Sequence, residues 1–240
     1  MTALPTRKDE AWRYSDLDAV ARLWPVPAPI EIAVAAGESA ARHLIADSGI
    51  HDFAVTLGAG ARMEFHVLNA GAGYGRIAID VTLHDGAHFE FGAVQVGGRD
   101  ANLEIVTTVR HIEPNATSNQ VVRSVLGGSA TGSYLGKVAV ARDAQKTDSV
   151  QSVKAMLLSR TATANAKPEL EIYADDVKCA HGATVGELDK TALFYLTARG
   201  IPPEDAQTLL LQAFVSEVFA EAEARDALEA AALAALGKLS

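Results

Sequence analysis

The chain is poor in cysteine, in positive charge and, through its middle, in proline. A single cysteine in 240 residues excludes an internal disulfide and makes the cytoplasm the expected compartment. Lys and Arg number 21 against 30 Asp and Glu, a net charge of −9. Nucleic acid or an anionic membrane requires clustered cations, so neither is expected as the main partner. No apolar run reaches the roughly 18 residues a spanning helix needs. The opening MTALPTRKDEAWRYSDL has no apolar core of signal-peptide type. No Walker-type phosphate loop occurs, so no nucleotide is expected to bind this chain. What remains is ordinary globular composition, 49% apolar, enough for a packed core.

Three zones separate by composition. Residues 1–29 read as an N-terminal arm or short helix around Trp12 and Tyr14, then a connector in which Pro25, Pro27 and Pro29 alternate. Residues 30–187 form an all-β core. Proline is confined there to Pro114 and Pro168, glycines punctuate the chain, and apolar residues alternate with polar ones. Met63, Phe65 and Val67 alternate with Arg62, Glu64 and His66, and Ile77, Ile79, Val81 and Leu83 repeat the pattern. Period two means strands with one face buried. Sandwich, barrel and β-helix all satisfy it, and no short repeat chooses among them. Glu38–Ile45 suits a short helix. His84, His88 and His111 fall on separate strands and read as single surface histidines.

Residues 188–240 form a helical region at the C-terminal end. Asp189 is a plausible N-cap, Gly200 a helix stop, and Pro202-Pro203-Glu204 a second start. Leu210, Phe214 and Val218 lie on one stripe of that second helix. With Leu193 and Phe194 of the preceding helix they are the candidates for partner binding. The stripe also suits packing on the β core, and the residues alone leave both readings open.

The segment ADDVKCAHGATVGELD, residues 174–189, carries the chemistry. Cys179 and His181 are the thiolate and imidazole types that ligate iron or zinc. In extended backbone the two side chains share a face, roughly 6.6 Å apart. Two ligands do not close a site, so the rest of the chain or another chain must complete it. Against this, a lone cysteine is commonly a small buried hydrophobe. Asp175 and Asp176 read as turn formers.

PELEIYADDVKCAHGATVGELDKTALFYLTARGI (168–201), with TDSVQSVKAMLLSRTATANAKPELEI upstream and QTLLLQAFVSEVF downstream, resembles the C-terminal signature of the SufB/SufD family of iron–sulfur cluster assembly proteins. RKDEAWRYSDL resembles that family's K-x-E-x-W-R-Y opening. Gly182-Ala183-Thr184 after His181, and Ala180 between the two ligands, are SufD-like rather than SufB-like. The chain is shorter than typical SufD and lacks its long N-terminal helical region. The resemblance implies a right-handed parallel β-helix with helices at its ends. It also implies a complex with a SufB-like paralogue and a SufC-type ABC ATPase. His181, with Cys179 beside it, would then serve a transient iron–sulfur cluster or iron at the SufB–SufD interface.

Three functions follow for test. The first is a non-catalytic scaffold of the SUF system, whose C-terminal helices receive the ATPase. The second is a homodimeric metal-binding β-helix, in which two Cys179 and two His181 make four ligands. The third is a β-helix carbohydrate-active enzyme. A thiol nucleophile is disfavoured there, because same-face strand neighbours do not readily reach the ~3 Å contact between nucleophile and base.

Overall fold

A computed structural model describes residues 3–239. The alternating segments form twelve strands that pair only in parallel, in two six-stranded sheets. The chain lays β1 (Ile30–Val34), β3 (Gly49–Leu57), β5 (Tyr74–Leu83), β7 (Asn102–His111), β9 (Thr131–Val140) and β11 (Thr163–Ile172) on one sheet. It returns through β2 (Ser39–Ala46), β4 (Arg62–Asn69), β6 (His88–Gly97), β8 (Thr117–Leu126), β10 (Asp148–Leu157) and β12 (Lys178–Gly186) on the other. The result is a flattened parallel β-helix, as the family resemblance implied. Hydrogen-bonded side chains one rung apart lie 28 to 34 residues apart in sequence.

One corner shows why the chain turns where it does. Gly37, Gly60, Gly86, Asn115 and Lys146 have φ of 74°, 67°, 64°, 63° and 65°. They stack rung upon rung, each donating its backbone N–H to the turn of the next rung. Glycine and asparagine enter the left-handed region readily. Lys146 holds it while its ammonium pairs with Asp176 on the next rung.

Between the sheets lies an apolar core that includes Phe53, Phe65, Phe89, Phe91, Ile77, Ile79 and Val81. Phe53 and Phe65 meet edge to face at 5.1 Å. The segment expected as a short helix, Glu38–Ile45, is instead β2, in register with β4 from Ser39↔Arg62 to Ala46↔Asn69. The β4 edge offers its backbone a ladder, and that tertiary pairing outweighs the local helix preference of the Ala/Arg run. His111, expected at the surface, is fully buried between the sheets.

The N-terminal arm crosses the outside of the first sheet. A 3-10 turn (Glu10–Trp12) is followed by α1 (Leu17–Leu23), capped by the Asp16 carboxylate, which accepts from the N–H groups of Asp18 and Ala19. Trp12 lies 3.9 Å over the Arg76 guanidinium, and Arg76 donates to the Ala11 carbonyl at 2.9 Å. Beneath them Arg76 and Glu104 form a buried ion pair of 2.7 Å, and Ser15 donates to Glu104 at 2.8 Å. Glu10 pairs with Lys167 on β11. The arm is thus held to the body by packing and charge together.

At the other end α2 (Lys190–Ala198), α3 (Pro203–Phe219) and α4 (Arg225–Leu236) follow β12. Asp189 caps α2, accepting from the N–H groups of Thr191 and Ala192. Gly200 follows with φ of 89°. The outer face of the second sheet is apolar at Leu68, Val94, Val96 and Val125, and α3 and α4 cover it with Leu211, Val215, Val218, Phe219, Leu228 and Ala232. Burial on both faces explains the near-continuous apolar runs of the central strands. Among the described residues no helix is long and apolar enough to cross a membrane.

Candidate functional site

Each strand of the last rung has one neighbour: β11 pairs with β9 and β12 with β10. Among the described residues the far edges of both carry no partner strand. Cys179 and His181 stand on β12, in register with Ser149 and Gln151 of β10. Those two are buried, at 0% and 1% exposure. In-register parallel strands stack like-facing side chains about 4.8 Å apart. Both candidate ligands therefore belong to the inward face of the helix, at its open end.

Two columns of side chains lead to them. One runs Phe89, Ser118, Ser149, Cys179; the other runs Phe91, Gln120, Gln151, His181. The core changes from aromatic to polar along both. In the first, His111 Nε2 meets Ser118 Oγ at 3.0 Å, and Ser118 meets Ser149 at 2.8 Å. In the second, Thr107 Oγ1 and the Tyr134 hydroxyl both donate to Gln120 Oε1, at 2.8 and 3.2 Å. Gln151 Nε2 in turn donates to the Tyr134 oxygen at 3.2 Å. Among the described residues, Gln151 Oε1 and Gln120 Nε2 are buried without a partner.

Burial sets the protonation of this interior. It pushes the His111 imidazole down to about 4, so the ring is neutral near pH 7. It pushes the Tyr134 phenol up to about 12, against the opposing hydrogen bonds of Thr107 and Gln151. Cys179 is half-buried against Val138, Val140, Ala144 and Ala174. Its thiol is raised first by that burial, then by the Asp148 carboxylate, with the Ser149 backbone opposing. The neutral thiol is thus its resting form. His181 is exposed. Among the described residues no three His, Cys, Asp or Glu side chains converge to hold a metal. Asp176 serves the turn before β12, where its backbone N–H donates to Gln145 Oε1 at 2.9 Å.

The docking candidates divide. Phe194 of α2 is 71% exposed, while Leu193 is half-buried. Val218 faces the sheet and is buried, because the apolar outer face of β4, β6 and β8 requires the α3 stripe for cover. Leu210 is half-buried, and so is Phe214, which lies 5.8 Å from the Arg123 guanidinium. Val218 is therefore withdrawn as a surface residue. Tyr195 of α2 and Leu209 of α3, at 56% and 47% exposure, are further exposed apolar side chains of these helices. Sequence reasoning passed over these two, although Tyr195 adjoins Phe194. It also passed over Gln120, Gln151 and Tyr134. Their signal was a polar residue at the apolar parity of a strand.

Residues 46–214 match the SUF system FeS cluster assembly, SufBD core domain model. Iron-sulfur cluster assembly protein SufD of Escherichia coli is 38% identical over 132 residues, covering 55% of this chain and 31% of that protein. A SufBD family protein of Synechocystis is 35% identical over 167 residues, 69% of this chain and 37% of its own length. SufD of Bacillus subtilis is 31% identical over 137 residues, 57% and 31% respectively. The chain thus matches about a third of the length of these relatives. With the model covering well over half of its residues, the chain belongs to the SufBD family of the SUF iron–sulfur cluster assembly system.

Proposed function

We propose that this chain is a non-catalytic scaffold subunit of the SUF assembly complex, presenting His181 to a nascent cluster at a seam with a second chain. One observation carries the reading. Cys179 and His181 share the inward face of β12, the terminal strand, whose outer edge has no partner among the described residues. An extended strand of another chain can add there through backbone hydrogen bonds. A SufB-like paralogue is the partner this reading favours, supplying the ligands the site lacks. The cluster, or iron, is cargo rather than a resident group. His181 ligates it as a neutral imidazole, adding no charge to an anionic sulfur cluster. Cys179, a raised thiol, joins only when metal displaces its proton.

Phe194, Tyr195 and Leu193 of α2, with Leu209, Leu210 and Phe214 of α3, are the residues we assign to docking of a SufC-type ATPase. Motion of that ATPase would reach the seam through Leu188 and the start of α2, which directly follow β12. A cytoplasmic location fits the single cysteine. A homodimer remains the second reading, because the open β12 edge can pair with its own copy and so bring together two Cys179 and two His181.

The test is His181→Ala in the reconstituted complex with the paralogue and the ATPase. Iron and acid-labile sulfide content should fall at least tenfold. Undiminished cluster yield from an intact complex rejects the role.

A further inference from the structure

The geometry points to Gln151 as a positioning residue that fixes which ring nitrogen of His181 faces the seam. This rests on His181 being the presented ligand and extends that reading inward. The Tyr134 hydroxyl has one proton, and its two remaining neighbours, Gln120 Oε1 at 3.2 Å and Thr107 Oγ1 at 3.1 Å, both lie where they can accept it. Thr107 Oγ1 donates to the same Gln120 oxygen at 2.8 Å. Tyr134 is left only lone pairs to offer Gln151, so the Gln151 amide must turn its Nε2–H toward the phenol, as it does at 3.2 Å. Its carbonyl oxygen Oε1 is thereby aimed elsewhere, fully buried and without a partner.

A buried carbonyl lacking a donor is costly. The in-register neighbours of Gln151 are Gln120, whose Nε2 also lacks a partner, and His181 of the open rung, and His181 is the one whose ring nitrogens are otherwise uncommitted. Its ring shares the inward face and lies one strand spacing away. A neutral imidazole has one N–H and one lone pair. When Gln151 Oε1 accepts the N–H, the other nitrogen is fixed as the acceptor, free to take metal. Donation thus runs inward from His181 through Gln151 and Tyr134 to Gln120 Oε1, where Thr107 donates as well. Orientation of a ligating histidine by its second nitrogen is a general requirement of metal sites, and its loss typically lowers affinity about 10- to 100-fold.

The experiment reads the His181 tautomer by 15N NMR of the full chain at pH about 8, where an ordinary imidazole is neutral. The wild-type ring should favour one tautomer, and Gln151→Leu should shift the ratio by about fivefold. Gln151→Glu, which retains an acceptor of the same shape, should restore the wild-type direction. An unchanged ratio in folded Gln151→Leu overturns the assignment. Should that variant fail to fold, Tyr134→Phe carries the test, because it frees the Gln151 amide to turn over. A smaller shift in the same sense supports the assignment, and no shift refutes it. The readout needs no cluster, so a negative result here is distinct from a normal cluster yield in His181→Ala.

Discussion

The two ends of the β-helix interior solve different problems. Where the helix begins, Phe53, Phe65, Phe89 and Phe91 fill the space between the sheets with Ile77, Ile79 and Val81. Nothing there asks for a partner beyond close packing. Where it ends, the same columns hold Ser118, Ser149, Gln120 and Gln151, facing Tyr134, Thr107 and His111, and finish at Cys179 and His181. An apolar core carried to an open end would present a greasy mouth. A polar core instead tolerates water and holds its side chains by directed bonds. The first end is held by apolar packing, and the second by hydrogen bonds between buried polar side chains.

Perturbing each end separates these roles. Phe91→Ala should have the largest effect, lowering stability by about 3–5 kcal/mol through the cavity it leaves, as read by urea denaturation. The His181 end should keep its chemistry in the surviving folded fraction. Acid should act next, through the buried imidazole. His111 titrates near 4 in the folded chain and near 6.5 unfolded, so between those values the unfolded state binds more protons. Stability is then full above about 6.5 and falls as pH drops toward 4, by on the order of 3 kcal/mol. Burial lowers His66 as well, which adds in the same direction. Replacing His111 by Leu should flatten that slope in denaturation curves taken at pH 7 and pH 4.5.

Tyr134→Phe should be milder, roughly 1–3 kcal/mol, because it strands the Gln151 amide N–H without its acceptor. The smallest effect on folding belongs to His181→Ala. Exposed on a terminal strand, the ring should change stability by about 1 kcal/mol at most, the worth of one hydrogen bond to Gln151, while removing the proposed cluster role. A large loss of stability there would make the residue structural and erase the contrast between the two ends.

Much of this was legible in the residues. The alternation of Met63, Phe65 and Val67 declared a strand, and Asp189 and Gly200 marked a helix start and stop. The rung repeat was hidden because stacking conserves position rather than residue type: Phe91, Gln120, Gln151 and His181 share one column with no identity between them. Ser39–Ala46 misled because its strand conformation comes from the β4 edge rather than from its own composition. Cys179 and His181 stood out through chemistry and resemblance. Their placement on an open inward face depended on knowing that β12 comes last. The Val218 stripe was ambiguous because the sheet face it covers lies far off in sequence, at Leu68, Val94 and Val125.

The most direct test of the central claim, that β12 is an edge awaiting another chain, is backbone amide hydrogen exchange across 178–186. It should be followed with and without the SufB-like paralogue. The account predicts that complex formation slows exchange in this strand by at least tenfold, with little change in β4 or β6. A stable complex that leaves β12 exchanging as fast as in the free chain would contradict it.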